Sequence, residues 1–208
     1  MRITVIHALR QSIDPIEAAF KSLWPTAELR HMLDDSLSRD LSRTGKLDRA
    51  MIQRFLDLGR YARAAGADGI LFSCSAFGRA IDAVVKDLAP LPVRKPNQAM
   101  IEQAVKRGGR IALVSSYRPT LDSMPTEFPA GTDLIPVFVE DALAALAAGD
   151  GATHDKLVVE ACERVHCDVF ALAQFSIARA AVALALTTGT PVLTTPEAAV
   201  LDLKSAVV

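Results

Sequence analysis

A stretch of this chain returns after one hundred residues: Asp68, Arg79 and Ala80 recur as Asp168, Arg179 and Ala180, and on the same shift Cys74 falls on Gln174. Each copy reads as an apolar strand, Ile70–Phe72 and Phe170–Leu172, followed by a small polar loop and a helix. Other blocks agree. Arg110–Ser115 copies the apolar pattern of Arg2–His7, Arg118 and Asp122 stand where Arg10 and Asp14 stand, and Pro92-Val93 and Pro96 return as Pro191-Val192 and Pro196. Two copies of one pattern in 208 residues imply two similar lobes, each of roughly 100 residues and able to hold a core. Short strands alternating with longer helices predict parallel sheets with right-handed crossovers, hence an α/β fold. Cys74 and Gln174 then sit at the carboxyl ends of strands, where open α/β sheets bind ligands.

Periodicity places the remaining elements. Arg2–His7 alternates as a strand, and Ser12 reads as the cap of a first helix that ends near Trp24-Pro25. Glu28–Met32 is a second strand, and the polar stretch Leu33–Lys46 is expected to be a long loop at the sheet's edge, of a length suited to a lid. A helix is expected over Leu47–Ala65, stopped by Gly66, then strand Gly69–Phe72, helix Phe77–Leu88, strand Leu91–Arg94 and helix Pro96–Lys106. After the restart at Arg110–Ser115 come strand Leu134–Val139, helices Asp141–Ala148 and His154–Val165, and strand Asp168–Ala173. His154 with Asp155 is read as a helix start.

Charge and composition narrow the function. A formal net charge of −1 offers no basic field for a phosphate backbone, so no nucleic-acid partner is expected. No apolar run reaches the ~18 residues that span a bilayer, and MRITVIHALR leads into a strand, so a soluble, cytoplasmic protein with no membrane partner is expected. Cys74, Cys162 and Cys167 are odd in number and form no CxxC pair, which argues against disulfides or structural zinc. Cys162 within a helix and Cys167 ahead of a strand read as structural, and His31, His154 and His166 show no metal-ligand spacing. No GxGxxG turn follows the first strand, which weighs against a dinucleotide site.

The chemistry concentrates in FSCSAFG, Phe72–Gly78, which holds a thiol between two serines after a buried-type strand and at the head of a helix. Helix-terminal N–H groups there favour a thiolate and bind anions. The competing reading is a small buried hydrophobe, as free cysteines commonly are. Ser73, Ser75 and the N–H groups of Ser75 and Ala76 form one side of a carboxylate pocket, and Ser115, Ser116 and Tyr117 form another. Gln174 is a candidate amide donor to a carboxylate or ring carbonyl. His7, at the first strand's end, is either an acid, base or donor or a satisfied structural residue, and Asn97 is either a helix cap or a substrate-binding amide. Leu33–Lys46, Tyr117–Gly131 and Phe175 are candidate pocket walls.

A thiol in a Cys-Ser-x-x-Gly turn after the third strand, repeated by pseudo-symmetry, resembles the aspartate/glutamate racemase superfamily, with its hydantoin racemases, maleate isomerases and arylmalonate decarboxylases. The likeness runs from VIHALRQSIDPIEAAF through the Cys74 turn and THDKLV to VFALAQFSIARA and TPVLTTPEAAV. It implies two pseudo-symmetric lobes with the active site in the cleft between them, the first at 1–95 plus a returning 196–208 and the second at 96–195. It also implies no cofactor, a homo-oligomer, and a thiol offered from each side to move a proton on a small carboxylate, amino acid or hydantoin-like substrate. Gln174 departs from that pattern, because an amide is no base at neutral pH. One thiol is still able to add to a double bond, to protonate the carbanion left by carbon dioxide, or to work with another base. Arylmalonate decarboxylases also use a single thiol, from the other lobe, so this chain resembles their mirror arrangement. A binding protein that senses a small acid without turning it over is the alternative outside enzymes.

Overall fold

The computed structural model describes residues 1–208. The first half runs β1 (Arg2–His7), α1 (Ile13–Leu23), β2 (Glu28–Leu33), α2 (Ser36–Thr44), α3 (Arg49–Ala64), β3 (Gly69–Phe72), α4 (Gly78–Leu88), β4 (Val93–Arg94) and α5 (Gln98–Arg107). The second runs β5 (Ile111–Ser115), α6 (Arg118–Ser123), β6 (Leu134–Phe138), α7 (Ala142–Ala147), α8 (Gly151–Cys162), β7 (Val169–Leu172), α9 (Ala181–Thr188), β8 (Val192–Thr194) and α10 (Thr195–Val207). Two four-stranded parallel sheets result, ordered β2-β1-β3-β4 and β6-β5-β7-β8. The expected α/β fold of two pseudo-symmetric lobes is therefore present.

The repeat in the sequence has a structural cause. Ile3 lies opposite Gly69 and Ile111 opposite Val169, so His7 and Ser115, like Cys74 and Gln174, hold equivalent places in the two sheets. Asp68 accepts a hydrogen bond from the Arg2 backbone N–H at 2.7 Å, and Asp168 accepts one from Arg110 at 2.6 Å, so each carboxylate pins its central strand pair. Strands β3 and β7 are buried along their whole length, as central strands covered by helices on both faces must be.

Packing then fixes the turn that carries Cys74. Asp48 caps α3 by accepting from the Met51 N–H at 2.8 Å. Phe55 of that helix stacks on Phe72 and Phe77, with ring centroids 5.4 and 4.8 Å away, supporting the turn on either side of the thiol. Burial of each such ring contributes about 2–3 kcal/mol. Gly59 lets α4 approach, since a Cβ there would meet Val84 Cγ1 at 2.5 Å.

The lobes interlock. Ala199, Val200 and Leu203 of α10 pack with Ile3, Val5 and Leu71 of the first sheet, whereas Met100, Ile101 and Ala104 of α5 pack with Ile111 and Val169 of the second. Phe175, beside Gln174, reaches into the first group as well.

Several sequence expectations need correction. Leu33–Lys46 is no loop: it holds α2, whose apolar face is only Leu37 and Leu41. Tertiary contacts hold it, for Arg54 pairs with Asp34 at 2.6 Å and Asp40 at 2.8 Å, while Asp34 accepts from the Ser36 N–H at 3.1 Å. Tyr117–Gly131 contains α6 and a 3₁₀ turn, Met124–Glu127. Ser12 precedes α1 but makes no capping bond and is buried. Asp150, not His154, starts α8, accepting from the Thr153 N–H at 3.0 Å.

Candidate active site

Strand β3 ends at Phe72, and the Ser73 N–H still joins the ladder to Ile6 O at 3.0 Å. Cys74 follows in extended conformation, and a 3₁₀ turn, Ser75–Phe77, leads into α4. Cys74 is buried and belongs to the first lobe's apolar cluster, which also holds Phe72, Ala76, Phe77 and Tyr117. Desolvation pushes it up to about 12, outweighing the Ala76 backbone N–H that favours the thiolate. The expected resting thiolate is thus overturned, because burial defeats the helix-terminal amides. At neutral pH Cys74 is a protonated thiol, suited first to act as an acid.

Across the lobe boundary stands Gln174. Its Oε1 accepts from Ser115 Oγ at 2.7 Å, from the Ser116 N–H at 2.7 Å and from Ser116 Oγ at 3.2 Å. A backbone N–H must meet an acceptor, so the amide's orientation is determined and its Nε2–H₂ group is the free end. Ser115 and Ser116 therefore orient the amide, a task different from the direct carboxylate contact expected of them. Tyr117 also serves structure, donating to Ser38 O at 2.7 Å beside Ser42 Oγ at 3.0 Å, which ties it to α2. Burial raises its phenol to about 12. Ser75 Oγ lies 3.0 Å from Thr120 Oγ1, a second link between the lobes.

His7 is wholly buried, with Ser73 Oγ 2.8 Å from Nδ1 and His31 Nδ1 2.9 Å from Nε2. Burial and the neighbouring His31 hold it down to about 3, so the ring is neutral. Asn97 is fully buried at the start of α5, makes no capping bond, and leaves both Oδ1 and Nδ2 unpaired. Its expected capping role does not hold. A polar pair buried without partners is costly and marks a position kept for something other than stability.

No protein-family model matches this chain, and no curated protein matches it by sequence. Solved structures do. Aspartate racemase from Picrophilus torridus aligns with a TM-score of 0.75 at 15% identity, over 99% of this chain and 94% of its own. Allantoin racemase from Klebsiella pneumoniae aligns at 0.70 and 19% identity, over 100% of this chain and 87% of its own. A variant of arylmalonate decarboxylase aligns at 0.67 and 19%, over 100% and 93%. The chain has the fold of the aspartate/glutamate racemase superfamily.

Within this racemase-superfamily fold, sequence reasoning misses the buried carboxylate of Glu127. Glu127 lies in the 3₁₀ turn after α6, with its carboxylate against Gly78, where a larger residue would collide with it. Burial first, and Asp82 next, raise it to about 7, while Lys95, 3.9 Å away, opposes them. Nothing local in the sequence signals this, because the burial comes from the facing lobe. The stability this group contributes is fully present below about pH 4.5 and is lost as pH rises through about 7. Glu127→Gln is accordingly expected to gain about 3 kcal/mol over the native protein near pH 8 and little near pH 4. Urea midpoints at the two pH values measure the difference, and equal gains at both would contradict it.

Cys74 lines neither of two surface grooves. One, lined by Gly109, Asp133 and Asp168, lies at the amino ends of β5 and β7. The other, of about 1190 Å³, runs between α1, α9 and α10. Cys74 is 7% exposed, and the Tyr117–Ser38 and Ser75–Thr120 contacts tie the two lobes together. No three His, Cys, Asp or Glu side chains converge on a metal position.

Proposed function

We propose that the protein is a cofactor-independent racemase- or isomerase-like enzyme acting on a small carboxylate, amino acid or hydantoin-like substrate through a carbanion or enediolate. Cys74 is its thiol acid/base. The observation that carries this reading is the pairing of strand ends. A protonated thiol after β3 and an amide after β7 whose free end is its N–H₂ donor occupy equivalent positions in a fold shared with racemases and a decarboxylase. The Gln174 Nε2–H₂ group and the N–H groups of Ser75 and Ala76 stabilise the oxygen that gains charge, and Cys74 delivers the proton.

The protonation state of Cys74 favours a second reading, decarboxylation of a malonate-type acid. A carbanion left by carbon dioxide needs an acid, not a base, and needs it from one face only. A homo-oligomer is part of the proposal. Val182 and Leu186 on α9 are 72% and 82% exposed and offer an apolar face for it. A cytoplasmic location is likewise proposed, and no helix is long and apolar enough to cross a membrane.

Proton NMR in deuterium oxide over amino acids, hydantoins, maleate and substituted malonates tests the reading. Deuterium appearing at a carbon next to a carbonyl is the expected result. Loss of carbon dioxide with one deuteron gained selects the decarboxylase. No exchange on any compound, with ligands still raising the melting temperature, would instead describe a small-acid binding protein.

A further inference from the structure

Helix α9, AVALALTT, carries no charge on any side, yet it lies at the surface with only Leu184 buried. A helix without a charged face is normally covered. Its twin in the first half shows the contrast. On the shift of one hundred residues, Val182, Leu186 and Thr187 stand where α4 carries Asp82, Lys86 and Asp87. Asp82 pairs with Lys95 at 3.1 Å and Asp87 with Arg60 at 2.7 Å, so α4 meets its surroundings through charge.

The difference extends into the groove of about 1190 Å³ between α1, α9 and α10. In the first half Glu127 fills the equivalent place, beside Gly78 and Lys95. Glu127 follows Asp122 by five residues, and the residue five after Asp14 is Ala19. Thr194 pairs with Leu172, and Lys95 comes next after the pairing of Leu71 with Arg94, so Thr194 holds the place of Lys95. Alanine, threonine and valine thus line the groove where the first half sets a glutamate, a lysine and an aspartate. Depletion of charge at the centre of a surface is the compositional mark of a protein interface. Of the chain's seven exposed large apolar side chains, Val182, Leu186 and Leu201 gather on this one face.

The rim identifies the partner. Arg10 and Arg179 stand there with Asp14 and Glu197, both signs in equal number, so the face is complementary to itself. Arg10, Asp14 and Glu197 enter none of the chain's ion pairs and are free to pair across a contact. A mixed rim offers no single-sign field to hold nucleic acid or an anionic membrane. We propose that this face is a two-fold interface between two copies of the chain, with the Val182–Leu186 ridge of each seated in the groove of the other. Every contact is then made twice. The interface rests on the homo-oligomer reading above and is independent of the reaction.

Such a contact also bears on the candidate site. Residues of α1 and α10 belong to the first lobe's apolar group and those of α9 to the second's, so a partner in the groove braces one lobe against the other. Ser176, two residues after Gln174, lines the groove as well.

Light scattering on the native protein at micromolar concentration is expected to give twice the mass of one chain. Val182→Asp with Leu186→Lys, which gives α9 the charges of α4, is expected to weaken self-association on the order of 10²-fold and to give a single-chain mass at the same concentration. Both side chains are exposed, so the variant keeps its fold. Hydrogen exchange on the native protein needs no variant: dilution that halves the mass should speed exchange over 10–22 and 194–201 roughly tenfold and leave α4 unchanged. The native assembly persisting in the double variant, or unchanged exchange over those segments as the mass halves, would overturn this face and leave the homo-oligomer reading standing. A native monomer at every concentration would overturn both and leave the face to an unrelated partner.

Discussion

Cys74→Ala is expected to lower turnover of the responsive substrate on the order of 10²–10⁴-fold, the range of a general acid or base, while leaving the protein folded. Alanine keeps the backbone of the turn and removes only the sulfur. Phe55 still supports Phe72 and Phe77, and the Ser75–Thr120 and Tyr117–Ser38 links do not involve the thiol. Cys162 is the internal control: burial pushes it up to about 12 as well, yet it ends α8 and lies near Cys167, ahead of β7, at the opposite end of the sheet from Gln174. Cys162→Ala should therefore keep native turnover. Iodoacetamide should label Cys74 slowly near neutral pH, because the reacting form is the thiolate and burial suppresses it. Native turnover in Cys74→Ala would remove the thiol from the mechanism.

The duplication is legible because its repeated residues repeat a task. Asp68 and Asp168 each tie a first-strand amide, and Ala80 and Ala180 each let a helix sit close on its sheet with no exposed surface. The strand ends follow from the same repeat, which is how Cys74, Gln174, His7 and Ser115 come to be singled out. Helix α2 is hidden because its stability is borrowed: Arg54 of α3 and Tyr117 of the other lobe hold it, and its own sequence shows two leucines among polar residues. The protonated state of Cys74 is hidden for a related reason, since helix-terminal amides are visible locally and the burial that defeats them is not. The contact between His7 and His31 escapes notice because it depends on which strands pair. Alternation puts His7 and His31 on one face only once β1 and β2 are neighbours in register.

The same buried ring sets the expected response to acid. His7 titrates at about 3 in the folded protein and near 6.5 in the unfolded chain. The folded state therefore holds the neutral ring, and the unfolded chain binds a proton first as pH falls. The stability this contributes is fully present above about pH 6.5 and is lost progressively toward pH 3, on the order of 4 kcal/mol in all. His31 is lowered in the same direction, mainly by burial, and steepens the loss. Charging both rings would also set two cations side by side at 5.1 Å and break the bond between them. Glu127 works in the opposite direction, and the two trends offset each other where their windows overlap, so greatest stability should fall in mildly acidic solution. His7→Gln removes the titrating ring. Packing lost on substitution lowers its stability at every pH, so the informative quantity is the slope. Between about pH 6.5 and pH 4 the urea midpoints of the native protein should therefore decline relative to those of His7→Gln, whose curve keeps the gain from Glu127 without the loss from the ring. Parallel curves would mean that the ring titrates alike in the folded and unfolded chains, so that burial does not hold it neutral as pH falls.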